Sequence, residues 1–198
     1  MTSTAGTGPG RSAARERDAH LVGLLQRSAT GDQEAFAAFY DAVAPSAYGL
    51  ARKIVRDADL AADVTQEALV DVWRSAERFN PDRGSVVGWV CSITHRRAVD
   101  LIRSTQSGRD REERAGVSGF ERDRDDVAEA VESAEDRERV TKCLGTLTGL
   151  EYEAVTQAYY GGLTYRQVAE RLGAKLATVK SRMRSALQRL QDCLGVGA

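Results

Sequence analysis

The sequence has little proline, cysteine, histidine or aromatic residue, and it has no long apolar run. Of its 198 residues, three are proline, three are cysteine and two are histidine, and aromatic residues make up 6%. Three scattered cysteines are too few for the disulfide framework of a small secreted protein or for a zinc cluster. No segment approaches the ~18–20 apolar residues of a membrane span, and the first 17 residues lack the apolar stretch of a signal peptide. We therefore expect a cytoplasmic protein without direct membrane insertion.

The near-neutral charge conceals an acidic middle and a basic end. The chain has 29 acidic and 28 basic residues in total. The segment from Thr105 to Ala134 contains nine acidic and five basic residues, whereas the segment from Arg139 to Ala198 contains nine basic and four acidic residues. A basic carboxyl-terminal segment is compatible with nucleic-acid binding, which the total charge by itself neither supports nor excludes.

The spacing of apolar residues predicts an all-α fold of two small helical domains. Apolar residues recur at i, i+3, i+4 and i+7 in several segments, and no strand pattern of convincing length occurs. Glycine, serine, threonine and arginine without an apolar stretch predict a disordered tail over 1–18. The first domain covers 19–104, and a flexible acidic linker without apolar periodicity covers 105–135. The second domain covers 136–194.

A helix-turn-helix over 163–190 is the pattern around which the second domain is organised. Thr164 and Gln167 form the capping box of its first helix, and Gly173 suits the left-handed residue that ends it. A second helix begins near Leu176, with its apolar residues on one arc. The other faces carry side chains that can reach phosphates and base edges in a DNA major groove: Lys180, Ser181, Arg182, Arg184, Ser185 and Gln188. The alternative is a solvated basic face on an ordinary helical hairpin.

A helix capped by Asp57 or Asp59, and expected to run to about Phe79, has an apolar arc wider than one core face requires. Its polar residues form only a strip, made of Asp63, Gln66, Glu67, Asp71 and Arg74. Two interpretations remain open. The helix is either the centre of a bundle, or its strip and part of its apolar arc meet a partner protein. Pro45 is expected to interrupt or kink the preceding helical pattern.

The next helix, capped by Ser85 and ending near Arg103, combines an aromatic side chain with basic ones. Four residues that point away from the core offer the stacking platform and charge that single-stranded DNA needs: Trp89, His95, Arg96 and Arg103. Arg97 and Asp100 are expected to pair, since they are three residues apart. His95 and Cys91 are too few ligands for a metal site. We expect no cofactor, and the absence of a nucleophile–base constellation argues against an enzyme.

These segments together resemble a bacterial RNA polymerase sigma factor of the extracytoplasmic-function (ECF) group, within the sigma-70 family. The resemblance covers nearly the whole chain beyond the tail. Three stretches are similar, in order, to the family's polymerase-binding helix, −10 element reader and −35 element reader: Asp63–Trp73; Phe79-Asn-Pro-Asp-Arg-Gly-Ser with Gly-Trp-Val and His95-Arg-Arg-Ala-Val-Asp-Leu-Ile-Arg; and Tyr159-Tyr-Gly-Gly-Leu-Thr-Tyr-Arg-Gln-Val-Ala with Thr178-Val-Lys-Ser-Arg. Within the family, the run Ala158–Tyr165 is most similar to sigma factors of the sigma-K type.

The resemblance implies a division of roles and two partners, core RNA polymerase and promoter DNA. Binding to polymerase falls to Asp63, Gln66, Glu67, Leu69 and Trp73. Contacts with the −10 element are assigned by the resemblance to Asn80, Arg83, Ser85, Trp89, His95, Arg96 and Arg103. Contacts with the −35 element are assigned by the resemblance to Arg166, Thr178, Lys180, Ser181, Arg182, Arg184, Ser185 and Gln188. The acidic linker is expected to thread along a positively charged polymerase channel.

Two positions depart from the family pattern. Lys175 stands where the family often has Pro in the turn, and Ala177 stands where it often has Gly before Thr178. Lys175 lacks the preset dihedral angle of Pro at a helix start, but it adds a charge near phosphates. The departure leaves the first residue of the recognition helix open.

The resemblance also implies control by an anti-sigma factor, often membrane-anchored, that wraps these faces. Cys143 lies in the first helix of the second domain and Cys193 at the end of the last, and such helices often pack together. We hypothesise that the two cysteines form a disulfide that alters anti-sigma affinity. A Cα separation well above ~7 Å would exclude the bond. The alternative is a pair of small buried hydrophobic residues.

Two rival functions come from other classes. A stand-alone helix-turn-helix regulator would bind duplex DNA without polymerase, but it would need a ligand pocket or receiver in place of the first domain. A helical adaptor or enzyme with an incidental basic face would show no salt-dependent DNA binding.

Overall fold

The computed structural model describes residues 9–114 and 140–194, with side chains over 15–105 and 140–194. Both described parts are helical. The first contains α1 (Pro9–Ala29), α2 (Gln33–Val55), α3 (Ala58–Arg74) and α4 (Val86–Arg114), with short 3₁₀ turns at Ala76–Arg78 and Pro81–Arg83. The second contains α5, described over 140–144, then α6 (Gly149–Tyr159), α7 (Tyr165–Arg171) and α8 (Leu176–Leu194). The all-α prediction and the two-domain prediction are confirmed.

The first domain is a four-helix unit around an apolar core. Side chains from all four helices fill this core, among them Leu25, Phe39, Val43, Leu69 and Val90. A second cluster, which includes Ile54 and Val99, continues the packing toward the carboxyl half of α4. Asp57 caps α3, since its Oδ1 accepts a hydrogen bond from Leu60 N at 2.9 Å.

Three boundaries differ from the sequence predictions. Helix α1 begins at Pro9, inside the predicted tail. Asp18, at the end of that predicted tail, is tied to the domain, since its carboxylate accepts a 2.9 Å hydrogen bond from Val86 N at the start of α4. Helix α4 continues to Arg114, inside the predicted linker, since a helix that is already nucleated gains a hydrogen bond with each added residue. Helix α3 ends at Arg74 rather than near Phe79. Residues 1–8 of the tail and 115–135 of the linker lie outside the described residues.

Pro45 does not interrupt α2, which runs unbroken from Gln33 to Val55. Its ring lies on the exposed side of the helix, while Val43 and Ala47 beside it are buried. The packed face therefore sustains the helix across the missing N–H, which proline removes from the hydrogen-bond ladder.

The second domain packs α6 and α7 onto α8. Its core holds Ala154, Val168, Ala169, Val179 and Met183. The predicted capping box is confirmed, since Thr164 N donates to Gln167 Oε1 at 2.8 Å and Gln167 N to Thr164 Oγ1 at 3.3 Å. Gly173 has φ +58°, the left-handed conformation that ends α7 and lets the chain turn into α8 at Leu176. Within the described ranges, none of the helices combines the length and the apolar character that crossing a membrane requires.

Candidate nucleic-acid and partner interfaces

Helix α3 presents a mixed polar and apolar surface. Asp63, Gln66 and Glu67 are exposed, as the predicted polymerase strip requires. Trp73 is 41% exposed, but Leu69 is only 1% exposed and belongs to the core. The prediction that Leu69 contacts a partner is therefore corrected: packing against α1, α2 and α4 removes it from the surface. Leu60 and Val70 are the large aliphatic side chains of this helix that are exposed.

The aromatic side chains of α2 extend this surface, and the sequence interpretation missed them. Phe36 stacks on Trp73 with ring centroids 4.5 Å apart and an interplanar angle of 29°. Tyr40 meets Phe36 edge to face at 6.4 Å and is itself exposed. Phe36 and Tyr40 are four residues apart, so the sequence predicts that they lie on the same face of α2. The spacing does not predict whether that face is buried in the core or exposed to solvent.

The loop between α3 and α4 is tightly hydrogen-bonded. Asn80 Oδ1 accepts from Asp82 N at 2.9 Å and so caps the turn Pro81–Arg83. Ser85 Oγ accepts from Gly88 N at 3.1 Å, in line with the predicted cap. Arg83 and Ser85 are exposed at this bend. A cavity of about 520 Å³ lies between this loop and α1, and its lining includes Arg15, Asp18, Pro81 and Ser85.

Helix α4 places its predicted DNA-binding residues in different surroundings. Trp89 is half-buried and packs on Phe79, with ring centroids 5.4 Å apart. Arg96 is exposed. His95 and Arg103 both contact the second domain: His95 Nε2 lies 2.9 Å from Tyr159 O, and Arg103 Nε donates to Gly162 O at 3.2 Å.

Arg97 on α4 is tied to α3 rather than to its own helix. Its Nε donates to Asp71 Oδ2 at 2.6 Å, and its Nη1 lies 3.7 Å from Glu67 Oε2. The Asp71 carboxylate, through this hydrogen bond, raises the pKa of Arg97 above its ordinary value, and Asp100 contributes only a weaker attraction. The predicted pairing of Arg97 with Asp100 is thereby corrected, because tertiary packing offers Arg97 a closer carboxylate.

Helix α8 carries the basic surface of the second domain. Val179, Met183 and Ala186 are buried against α6 and α7, which turns the other faces outward. Most of the predicted −35 residues are exposed, and Arg182 is half-buried; the exposed ones are Arg166, Thr178, Lys180, Ser181, Arg184, Ser185 and Gln188. Gln188 Nε2 donates to Asp192 Oδ1 at 3.0 Å, so this residue already has a partner on its own helix. Leu187 is one of the apolar residues predicted to share an arc of this helix, and it is exposed.

Glu151 links α6 to the last helix. Its carboxylate accepts from Thr148 N at 2.9 Å in a second capping box and lies 3.5 Å from Arg189 Nε. The hydrogen bond from the Thr148 backbone, together with Arg189 and the Thr148 hydroxyl, holds the pKa of Glu151 below its ordinary value. A charged carboxylate is thus favoured at the contact between α6 and α8.

Cys143 and Cys193 form a disulfide with a Cα separation of 5.7 Å. The bond joins α5 to the end of α8 across 50 residues of sequence. The separation is below the ~7 Å limit of the pairing hypothesis, and Cys91 lies outside this bond. Among the described residues, no cluster of three or more His, Cys, Asp or Glu has a metal-binding arrangement.

Comparison with known proteins agrees with this architecture. Residues 39–108 match the family model of sigma-70 region 2, and residues 143–192 match that of sigma-70 region 4. The chain is 45% identical to the ECF RNA polymerase sigma factor SigK of Mycolicibacterium vanbaalenii, over 90% of this chain and 91% of the relative. It is 44% identical to the protein of the same name from Mycobacterium bovis, over 89% of this chain and 94% of that one.

A solved structure of Rhodobacter sphaeroides SigE in complex with the anti-sigma ChrR is 24% identical, with a TM-score of 0.46. That comparison covers 86% of this chain and 98% of the solved one. The two matched regions define a two-domain sigma-70-type protein. The chain belongs to the ECF RNA polymerase sigma factors.

Proposed function

We propose that this sigma factor binds core RNA polymerase mainly through α3 and reads a promoter with α4 and α8. The observation that carries the proposal is the coincidence of the two sigma-70 regions with two helical units. One unit exposes an apolar and acidic face on α3, and the other exposes the basic faces of α8. Such a protein acts where the polymerase acts, in the cytoplasm.

The polymerase surface is built from Trp73 and the acidic strip of α3. Exposed aromatic residues surrounded by polar ones supply much of the free energy of protein interfaces. The stack of Trp73 on Phe36 fixes the indole before binding, which reduces the conformational entropy lost on association. Glu67 is already near Arg97, so a polymerase cation would compete with that weak pair.

The −10 element is assigned to the loop Asn80–Ser85 and to α4. Extruding a base from the stack costs a few kcal/mol, which stacking and hydrogen bonds in a pocket can offset. The capped loop offers Arg83 and Ser85 at its surface, and Arg96 adds a charge that can reach a phosphate. Trp89 supports the loop through Phe79 and leaves only part of its ring for a base.

The −35 element is assigned to α8 in the major groove. Val179 and Met183 fix the helix by their burial, so Lys180, Ser181 and Arg184 project from a rigid element. Arginine reads a guanine edge through paired hydrogen bonds, and lysine and serine suit phosphates.

Control by an anti-sigma factor, anchored in the membrane, is the regulatory part of the proposal. Large apolar side chains exposed on the second domain would suit such a partner, among them Leu150, Tyr152 and Leu187. The disulfide between Cys143 and Cys193 joins the first and last helices of that domain. Reducing it would loosen the surface that the anti-sigma factor binds, which gives the interaction a redox dependence.

The test is co-elution with purified core RNA polymerase, followed by run-off transcription from the DNA upstream of the chain's own gene. We expect a complex and initiation at a defined start site. Trp73→Ala should weaken the complex by at least about tenfold, which is the order expected for an interface hot spot. Tyr152→Ala, which removes an exposed aromatic from the second domain, is the control and should weaken it much less.

Each rival function predicts a different result. Duplex DNA binding at low salt without polymerase binding would support a stand-alone helix-turn-helix regulator. Binding to neither polymerase nor DNA would support a helical adaptor.

A further inference from the structure

The first helix, α1, lies beside the loop Asn80–Ser85. It contacts the 3₁₀ turn Ala76–Arg78, which precedes the loop, and α4, which follows it. The cavity of about 520 Å³ described above lies between α1 and the loop, and its lining includes Asp18 of α1 and Pro81 of the loop. None of the residues assigned to DNA lies on α1, yet the loop assigned to the −10 element is placed against this helix.

Helix α4 has no acidic side chain in its first turn. The first N–H groups of a helix have no acceptor within it, and together they form the positive end of the helix dipole. In α2 and α3 the residue just before the helix, Asp32 or Asp57, supplies a carboxylate there. In α4 the carboxylate comes instead from Asp18 on α1, which accepts from Val86 N at 2.9 Å across 68 positions of sequence. The negative charge that the first turn of α4 lacks is therefore supplied by a different helix.

Water cannot take the place of this carboxylate without a change in structure. Val86 is fully buried, with an exposed fraction of 0%, and Asp18 is half-buried. A buried N–H that loses its acceptor bears the full cost of its desolvation. Removing the carboxylate would therefore favour a shift of the start of α4 toward solvent, and the loop that leads into α4 would move with it.

The hydrogen bonds within the loop and the first turn of α4 fix local shape but not the position of the loop on the domain. Asn80 Oδ1 accepts from Asp82 N at 2.9 Å, and Ser85 Oγ accepts from Gly88 N at 3.1 Å, so each bond joins residues at most three positions apart. Gly84 stands between them with φ +138°, and glycine adopts more backbone conformations than other residues. The hydrogen bond to α1, by contrast, ties the end of the loop to a distant part of the chain.

We propose that Asp18 is a positioning residue for −10 recognition: from α1 it holds the start of α4, and with it the loop Asn80–Ser85, in the place where the loop captures the promoter strand. Asp18 acts through the Val86 N–H and touches no base. A binding surface that is held in place beforehand loses less conformational entropy on association. The inference rests on the proposed function, since it takes this loop as part of the −10 reader.

Amide hydrogen exchange of the full chain, followed by mass spectrometry, tests whether the carboxylate holds the loop. Asp18→Ala should speed exchange in peptides that span 80–88. Asp18→Asn should restore the exchange of the unaltered chain, because an amide oxygen can still accept from Val86 N. Asp57→Ala is the matched control, since Asp57 also accepts from an N–H at the start of a helix at 2.9 Å. It should speed exchange at the start of α3 and leave 80–88 unchanged.

Binding of the holoenzyme to a fluorescent oligonucleotide tests the consequence for promoter recognition. The oligonucleotide is the single-stranded non-template −10 segment of the promoter mapped by run-off transcription. Asp18→Ala should weaken binding by about 3- to 10-fold, the range that loss of a helix cap gives. Asp18→Asn should bind within about twofold of the unaltered chain, and Asp57→Ala should bind like the unaltered chain.

Two further readings separate positioning from loss of folding and from direct contact. Both Asp18 variants should keep their affinity for core polymerase, because the surface assigned to polymerase lies on α3. The salt dependence of oligonucleotide binding should be the same for Asp18→Ala as for the unaltered chain, because no phosphate contact is removed.

Four outcomes would overturn the proposal. Unchanged exchange over 80–88 in Asp18→Ala would mean that the carboxylate does not hold the loop. Faster exchange with unchanged oligonucleotide affinity would mean that this hold does not serve −10 recognition. An equal loss of affinity in Asp57→Ala would indicate a general effect of domain stability. A loss in both Asp18 variants that is confined to one base of the oligonucleotide would indicate that Asp18 contacts that base directly.

Failure of the proposed function gives a different result. In that case the unaltered chain would bind neither core polymerase nor the oligonucleotide, and the role of Asp18 in −10 recognition would fall with it. The exchange of 80–88 in the Asp18 variants would still show whether α1 holds the loop.

Discussion

Arg97 on α4 donates from Nε to the Asp71 carboxylate of α3 at 2.6 Å. The residues are 26 positions apart, so the contact fixes the packing of two helices rather than the shape of one. The pair lies between the acidic strip of α3 and the −10 helix. It therefore couples the positions of the two surfaces to which we assign polymerase and promoter.

Replacing Arg97 by Ala should destabilise the first domain by about 0.5–1 kcal/mol, the upper part of the range for exposed ion pairs. Both tryptophans, Trp73 and Trp89, lie in this domain, so fluorescence during urea unfolding follows it selectively. A double-mutant cycle with Asp71→Asn isolates the pair, and a coupling free energy near zero would contradict the prediction. Arg78→Ala, on the exposed 3₁₀ turn, is the control for the lost charge.

Reduction of the disulfide should destabilise the second domain by about 2–4 kcal/mol, because the bond closes a long loop in the unfolded chain. The measurement is thermal unfolding by circular dichroism with and without dithiothreitol. Cys143→Ala should melt at the same temperature under both conditions, whereas Cys91→Ala should keep the dependence on reductant. The bonded cysteines are 50 residues apart in sequence, and a loop of that length is consistent with a stabilisation of about 2–4 kcal/mol. Equal melting temperatures for the oxidised and reduced native chain would contradict the bond's stabilising role.

The lowered pKa of Glu151 predicts a pH dependence of stability with a definite sign. The folded state binds its proton more weakly than the unfolded chain, whose ordinary value is 4.5. The stabilisation is therefore fully present above about 4.5 and is lost as the pH falls through the lowered folded value. Glu151→Gln should speed hydrogen exchange in α6 at neutral pH, and the difference should shrink below pH ~4.5. Glu153→Gln, an exposed neighbour, should leave exchange unchanged at both pH values.

Arg184→Ala should weaken promoter binding in one of two distinguishable ways. If the guanidinium reads a guanine edge, binding weakens by about 1–3 kcal/mol, with relaxed preference at a single base pair. If it contacts phosphate, every −35 variant weakens equally and the salt dependence falls. Arg171→Ala removes the same charge from α7 and controls for non-specific attraction. Holoenzyme binding to a panel of −35 point variants, at fixed salt, separates these results.

Leu69→Ala and Trp73→Ala should have opposite signatures, although the residues lie four apart on α3. Truncating the buried Leu69 should cost about 2–5 kcal/mol of stability. Truncating Trp73 should cost little stability and should mainly weaken polymerase binding. Unfolding free energies and polymerase affinities measured on both variants decide the assignment. A stable Leu69→Ala protein that fails to bind polymerase would contradict this assignment and would indicate that Leu69 contacts polymerase.

The sequence by itself determined the local elements, because their signals are carried by neighbouring residues. Thr164 and Gln167 specify a capping box three residues apart, and Gly173 specifies the end of α7 through a backbone conformation that other residues adopt at a cost. The period of Val179, Met183 and Ala186 determines which face of α8 is buried. The basic surface on the opposite faces follows from the same period, since a helix that buries one face exposes the others.

Only the tertiary structure decided which members of a periodic face reach solvent and which distant groups meet. Leu69 and Trp73 belong to the same apolar arc, yet packing on α1, α2 and α4 buries one and leaves the other exposed. Arg97 pairs with Asp71 rather than Asp100, Asp18 caps α4 from α1, and His95 meets Tyr159 across 64 residues. Local patterns do not encode these pairs, because each depends on how far apart folded helices come to lie.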